Sequence, residues 1–163
     1  ECSLSNLPPR YSGAYCRVGS MRQIQPFLRV AGTLRPLVTA HVQTDGSYHQ
    51  RYRVSRTAVI LRTDEEHHLL KSYIDGEHKN STESEWASVL DGIKFSIAKD
   101  QGAVELENDN LGVIRAIAAH QAKNDMDRYY LHSIRAESEK LDWLAVRWIP
   151  REQNRADMLF GPR

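Results

Sequence analysis

The chain changes its hydrophobic period near residue 80. Between residues 37 and 75 apolar residues fall in short runs bounded by turn residues, and from residue 86 to residue 97 they recur every three or four positions. The first habit belongs to strands and the second to helices. Leu37-Val38-Thr39-Ala40-His41-Val42 opens a buried strand over residues 37–44. Residues 52–61, with Ala58-Val59-Ile60-Leu61 as their apolar part, read as a second strand, and residues 67–74 as a third that stops at Asp75-Gly76. Three successive strands with short polar turns predict an antiparallel meander.

Asn80-Ser81-Thr82 then offers helix caps, and Thr82 with Glu85 three residues on reads as a capping box. Trp86, Val89, Leu90, Ile93 and Ile97 make one buried helical stripe, and Gly92 beside them permits close packing on a sheet. Residues 103–107 predict a fourth strand, ended by Asn108-Asp109-Asn110. A second helix turns Leu111, Ile114, Ile117 and Ala118 inward, and a third, over about 125–140, does so with Tyr130, Leu131, Ile134 and Leu141. Residues 142–149 alternate as a fifth strand closed by Pro150, and Asn154 is placed to cap a last short helix through Phe160. The order β-β-β-α-β-α-α-β-α predicts an α/β fold with a five-stranded mixed sheet flanked by helices.

At 163 residues the chain suits one domain with a core that needs no staples. No apolar run approaches the ~18 residues that span a bilayer, so no membrane partner is expected. Cys2 and Cys16 both lie near the start; a disulfide between them and two free thiols fit equally, and no zinc spacing is present. The net charge of +1 hides an asymmetry, since every charge from Cys2 to Thr44 is an arginine and Arg51, Arg53, Arg56 and Arg62 continue the series. That bias reads either as a basic face for a polyanion or as ordinary solvated surface. Residues 1–36, with Pro8-Pro9 and little periodicity, read as a basic N-terminal extension of unknown role, set apart from residues 37–163. Their acid-poor, arginine-rich character also fits an organellar transit peptide, and the start at Glu1 reads as that of a fragment or processed chain.

Four acids fall in definite places. Asp45 ends the first strand beside Gly46, Glu85 sits in the first turn of the first helix, Asp109 follows the fourth strand, and Asp157 opens the last helix. Taken singly, each has a plain reading as turn residue, capping-box carboxylate, helix cap or helix-dipole partner. Together, with strands one and four adjacent, they converge at one end of the sheet. Clustered carboxylates repel unless a cation neutralises them. Oxygen ligands without cysteine or clustered histidine favour Mg²⁺ or Mn²⁺. Two such ions about 4 Å apart clamp the attacking and leaving oxygens of a phosphodiester displacement.

TDGSY at 44–48, STESEWASVLDGI at 81–93, LENDNLGVI at 106–114 and WIPREQNRAD at 148–157 resemble the motifs of the type 1 ribonuclease H family. The resemblance covers roughly residues 37–160 and implies a ribonuclease H-like sheet of order 3-2-1-4-5. It implies a metal-dependent endonuclease that hydrolyses the RNA strand of RNA–DNA hybrids by a two-metal-ion mechanism, leaving 5′-phosphate and 3′-hydroxyl ends. Asp45, Glu85, Asp109 and Asp157 would hold two Mg²⁺ ions, with Mn²⁺ able to substitute, and Glu85 would also position an RNA 2′-hydroxyl. Gly46, Ser47, His49, Arg51, Arg53, Asn80, Asn108, Arg151 and Asn154 are the expected nucleic-acid contacts, with Arg147 as a further phosphate contact.

The chain departs from the family pattern in several places. His49-Gln50-Arg51-Tyr52-Arg53 replaces the glycine-rich turn after Asp-Gly-Ser. The close at Asn154-Arg155-Ala156-Asp157 is one residue shorter than usual, and Asn108 stands where the family has serine. Arg151-Glu152-Gln153 replaces the bacterial histidine loop, as in archaeal and retroelement-like members, and only Lys123 and Arg128 remain of the basic handle. The altered turn opens a shifted substrate, structured RNA or DNA. Two wider readings accompany the first: a ribonuclease H linked to a reverse transcriptase or other domains of a larger protein, and a non-catalytic nucleic-acid-binding or scaffold module of the same fold.

Other features read plainly. His67 and His68 point to opposite faces of one strand and cannot share an ion. Trp86, Trp143 and Trp148 read as core, with base stacking by an exposed Trp143 as the minority reading. No Gly-x-Ser-x-Gly, Walker or Gly-x-Gly-x-x-Gly motif is present, which removes support for hydrolase-triad, nucleotide-triphosphatase and dinucleotide readings.

Overall fold

The computed structural model describes residues 16–17, 27–30, 33–36, 39–75 and 78–161. The meander is present as β4 (Ala40–His49), β5 (Val54–Arg62) and β6 (His67–Asp75), antiparallel in sequence. Helix α1 (Ser81–Ala98) follows, then β7 (Ala103–Asn108), α2 (Leu111–Ala119), α3 (Asp125–Ser138) and β8 (Trp143–Trp148). Two 3₁₀ turns, Arg151–Gln153 and Arg155–Phe160, close the described chain. β7 lies parallel to β4 and to β8, so the five strands run β6-β5-β4-β7-β8, the expected 3-2-1-4-5. The short strand β1 (Cys16–Arg17) adds to the outer edge of β8, and β2 (Phe27–Val30) pairs with β3 (Thr33–Pro36) as a separate hairpin. Cys2, and with it the disulfide reading, lies outside the described residues.

Helix α1 packs on β4 and β5, α3 packs on α1, and α2 packs on β8. Val42, Val59, Leu61, Trp86, Val89, Ile93, Val104, Leu106, Ile117, Ile134 and Val146 fill the space between, nearly all without solvent contact. Gly92 works as the stripe predicts, since a Cβ there would lie 2.6 Å from Thr44 Cγ2. The last 3₁₀ turn packs on β4 and β5. Because Thr57 and Arg56 point to opposite faces, and Thr57 bonds Asp91 of α1 while Arg56 lies over Phe160 (4.9 Å), that turn covers the sheet face away from α1.

The structure corrects three sequence readings. The helix begins at Ser81, so the cap is Asn80, whose side chain accepts from Glu83 N–H (2.9 Å), while Glu83 Oε2 accepts from Lys79 N–H (2.6 Å). Asn80 and Glu83 thus do the work of the predicted box, with Glu83 reaching one residue past the cap to Lys79, which leaves Glu85 free of that duty. The first strand runs on to His49, so Asp45 sits mid-strand rather than at its end. Trp148 is 41% exposed rather than core, at the last position of β8.

Candidate metal centre

β4 has two neighbours up to Thr44 and one thereafter. Its parallel partner β7 stops at Asn108, opposite Thr44, while β5 continues to pair beyond Asp45. Asp45 therefore faces the space that β7 vacates, next to Asp109 on the chain leaving β7. Glu85 arrives from above. Gly46 allows it, because a Cβ at that position would lie 2.3 Å from the Ser84 carbonyl group. At this close approach Gly46 N–H donates to Glu85 Oε2 (3.1 Å), which fixes the carboxylate beside the strand. Carboxylate oxygens of Asp45, Glu85 and Asp109 all come within 4.8 Å of one another.

The electrostatics follow from this crowding. Asp45 is 3% exposed. Burial first, then the charges of Glu85, Asp109 and Asp157, push its carboxyl up to about 9. Glu85 is pushed up to about 7 by burial and then by Asp109, against the amide of Asn108, the Gly46 N–H and the Arg151 charge. Burial also raises Asp109, partly offset by the Asn154 side chain and Arg151. Three acids that cannot all ionise on their own, with no sulfur or imidazole among them, form a donor set that fits a hard divalent cation.

Asp157 stands outside the close group of three. It still raises Asp45 through charge and a side-chain hydrogen bond, and its Oδ1 pairs with Arg151 (3.5 Å). Asn108, expected at the nucleic acid, is fully buried instead. Its amide donates to the Thr44 carbonyl (3.0 Å) and approaches Glu85 Oε2 (3.4 Å), so it braces the site from inside. Asn154 is likewise buried; it donates to the Thr44 carbonyl (2.9 Å) and caps the last turn by accepting from Ala156 N–H (3.1 Å).

The other expected contacts lie toward the surface. Ser47 Oγ accepts from Arg56 (3.0 Å). His49 and Arg51 flank the ring of Tyr52, at 4.6 Å and 5.5 Å, on the β4–β5 hairpin, and Tyr52 is 65% exposed. Arg53 closes that hairpin with a left-handed backbone (φ 52°). Asn80 lines a groove with Tyr48, Gln50, Lys79 and Ser81. Arg147 pairs with Glu107 and Glu105, so it belongs to the sheet and not to the groove.

Two contributors escaped the sequence reading. Trp148 Nε1 donates to the Asp109 carbonyl (2.9 Å), holding the backbone that presents this acid. The only sequence sign is an aromatic residue at the end of a strand. His78 is buried, with Nδ1 2.5 Å from Ser55 Oγ, which in turn lies 2.5 Å from Ser84 Oγ. It anchors the approach to α1, and a lone histidine in an unpatterned linker gives no signal of that.

A family model described as "Reverse transcriptase-like" matches residues 43–159. No curated protein sequence matches the chain. Among solved structures, ribonuclease H1 of the halophilic archaeon Halobacterium salinarum superposes with a TM-score of 0.67 at 18% identity, covering 74% of this chain and 93% of its own. The N-terminal ribonuclease H domain of a Mycobacterium tuberculosis protein gives 0.67 at 15%, covering 75% and 90%. LC11 ribonuclease H1, solved in complex with an RNA/DNA hybrid, gives 0.64 at 19%, covering 74% and 92%. At these identities the likeness is one of fold. Among the described residues no helix is long and apolar enough to cross a membrane. The family match begins two residues before Asp45 and ends two after Asp157, and with the shared fold it means that this chain belongs to the reverse transcriptase-like family of ribonuclease H-like proteins.

Proposed function

We propose that the chain is a divalent-metal-dependent nuclease that hydrolyses the RNA strand of RNA–DNA hybrids. The observation that carries this is the convergence of Asp45, Glu85 and Asp109 within 4.8 Å at the point where β7 leaves β4. Residues 37–163 form the nuclease unit in this reading, and residues 1–36 a basic extension to it.

Asp45, Glu85 and Asp109, with Asp157 as the fourth ligand, would hold two Mg²⁺ ions, or Mn²⁺ in their place. Bound there, such ions supply charge neutralisation and activation of water for in-line phosphodiester cleavage. The chain's own groups do the positioning. Gly46 N–H and Asn108 orient Glu85 from two sides. Asn80, Ser47, His49, Arg51 and Arg53 line the approach, and the two exposed hairpin arginines suit phosphate oxygens. Arg151 partners Asp157 and lowers Glu85 and Asp109, so it compensates acidic charge until substrate phosphate arrives.

The hairpin favours a second substrate reading. A tip built from His49-Gln50-Arg51-Tyr52-Arg53 presents side chains, where glycines would present backbone. Structured RNA or DNA is therefore the alternative substrate. The test is cleavage of a labelled RNA–DNA hybrid beside matching RNA–RNA and DNA–DNA duplexes, with Mg²⁺ and with chelator. Chelator-sensitive cutting of the hybrid's RNA alone is expected. Cutting of another duplex reassigns the substrate, and tight binding without cutting in Mg²⁺ or Mn²⁺ supports a non-catalytic binding or scaffold module.

A further inference from the structure

Asp157 is held differently from the other acids. Asp45 is part of a ten-residue strand, Glu85 of an eighteen-residue helix, and Asp109 follows a central strand, whereas Asp157 rides on the six-residue turn Arg155–Phe160. Gln43 sets the start of that turn. This side chain is 5% exposed on the central strand, two residues before Asp45. Its Nε2 donates to the Gln153 carbonyl (3.2 Å) and to Glu107 Oε2 (2.8 Å), and its Oε1 accepts from Arg155 N–H (3.1 Å). Between those two contacts Asn154 donates to the Thr44 carbonyl (2.9 Å). Residues 153, 154 and 155 are thus stitched to residues 43 and 44 immediately before Asp45.

The amide of Gln43 fits one way only. A primary amide has two N–H donors and one oxygen, and both donors are engaged here. Turned over, it would set oxygen against the Glu107 carboxylate and NH₂ against Arg155 N–H. Glu107 is held in turn by Arg147, which also reaches Glu105 (3.7 Å). A buried site on a central strand is most easily filled with an apolar residue, and polar groups there need partners to offset desolvation. This network has its partners, and hydrolysis uses none of its charges directly.

We propose that Gln43, locked in direction by Glu107 and Arg147, is a positioning residue that fixes the reach of Asp157 toward Asp45. The proposal rests on the reading of Asp157 as a metal ligand. Gln43 touches neither substrate nor ion and acts through the chain from Gln153 to Asp157.

The test uses the full chain with Gln43→Leu and with Gln43→Glu, which keeps size but trades the two N–H donors for a carboxylate oxygen set against Glu107. Both are expected to lower kcat on an RNA–DNA hybrid and the affinity for Mg²⁺ roughly ten-fold or more, with KM unchanged. Amides of residues 156–160 should exchange hydrogen faster than in the parent. Calorimetric Mg²⁺ titration of Asp157→Asn should show no further weakening when Gln43→Leu is added. Parent-like kcat and Mg²⁺ affinity, unchanged exchange, or a full additional loss of affinity in the Asp157→Asn background would each overturn the proposal. If the parent chain binds Mg²⁺ but cuts no hybrid, the nuclease reading falls, while exchange and titration still decide whether Gln43 sets Asp157.

Discussion

The Asp45 carboxyl is ionised only at a cost, and the sign of that cost is testable. Its ordinary value is 3.8 and its value in the fold about 9. Across that interval the folded protein keeps a proton that the unfolded chain has released, so stability is full below about pH 4 and is lost as pH rises toward the folded value. Glu85, raised from 4.5 to about 7, acts in the same direction, by about 3 kcal/mol if its whole shift is expressed. Metal-free protein should therefore melt progressively lower from about pH 5 to about pH 9, and Mg²⁺ should restore the melting temperature at the alkaline end by replacing the proton. A metal-free melting temperature that climbs with pH would contradict the crowding of these acids. Asp109→Asn should abolish cleavage while hybrid binding, by fluorescence anisotropy, stays near the parent and metal-free melting holds or rises, since Asp109 lies half-buried beyond its strand and its charge is one of those that raise Asp45 and Glu85. Asp109 and Asp157 were legible because each follows a recognisable element boundary, whereas Asp45 and Glu85 stand inside their elements and were legible through the Asp-Gly-Ser step and the buried helical stripe beside them. Asn108 was not, because β7 is buried on both faces and its alternation says nothing of which side chains reach solvent. Trp148 has the expected phase but is the last residue of its strand and exposed, and phase alone does not report that.

Among the elements, the crossing of α1 over β4 depends on Gly46. The backbone of Ser84 and Glu85 occupies the place of a Cβ, at 2.3 to 2.5 Å, so Gly46→Ala must push the helix start away. We expect a loss of about 2 kcal/mol or more in urea denaturation, with weaker Mg²⁺ binding because Glu85 moves with the helix. The hairpin carries the opposite trade. Arg53 holds a left-handed backbone that costs an L-residue about 1 kcal/mol. Arg53→Gly should thus stabilise the fold by a similar amount while weakening hybrid binding. Denaturation and anisotropy on one sample check both halves. The order of elements was readable from period, caps and turn residues. The exact length of β4 was not, because Asp45-Gly46-Ser47 looks like a turn in isolation and only pairing with β5 keeps it extended. Asn80 was among the caps on offer, but the box was set two residues late, because Asn80-x-x-Glu83 and Thr82-x-x-Glu85 overlap there.

For the whole molecule, the proposed function gives phosphate binding to the basic hairpin and metal binding to the acidic centre. If the hairpin arginines hold phosphates, replacing Arg51 and Arg53 by alanine should weaken hybrid affinity and flatten its salt dependence by a slope of about one for each phosphate no longer neutralised. A variant with weaker affinity but an unchanged slope would place those arginines off the backbone. The sheet order has a kinetic consequence as well. The meander β4-β5-β6 closes through local turns, but β7 must cross back to lie against β4, and the Asn108 amide meets Thr44 across a sequence separation of 64 residues. Arg155 meets Gln43 across 112. Closing such long loops comes late, after local structure has been gained. The cluster of Asp45, Glu85 and Asp109 therefore cannot exist in any species that has only the meander and α1, and with these acids as the proposed ligands the ability to bind Mg²⁺ should emerge during refolding with the slowest phase, after most of the secondary structure has returned.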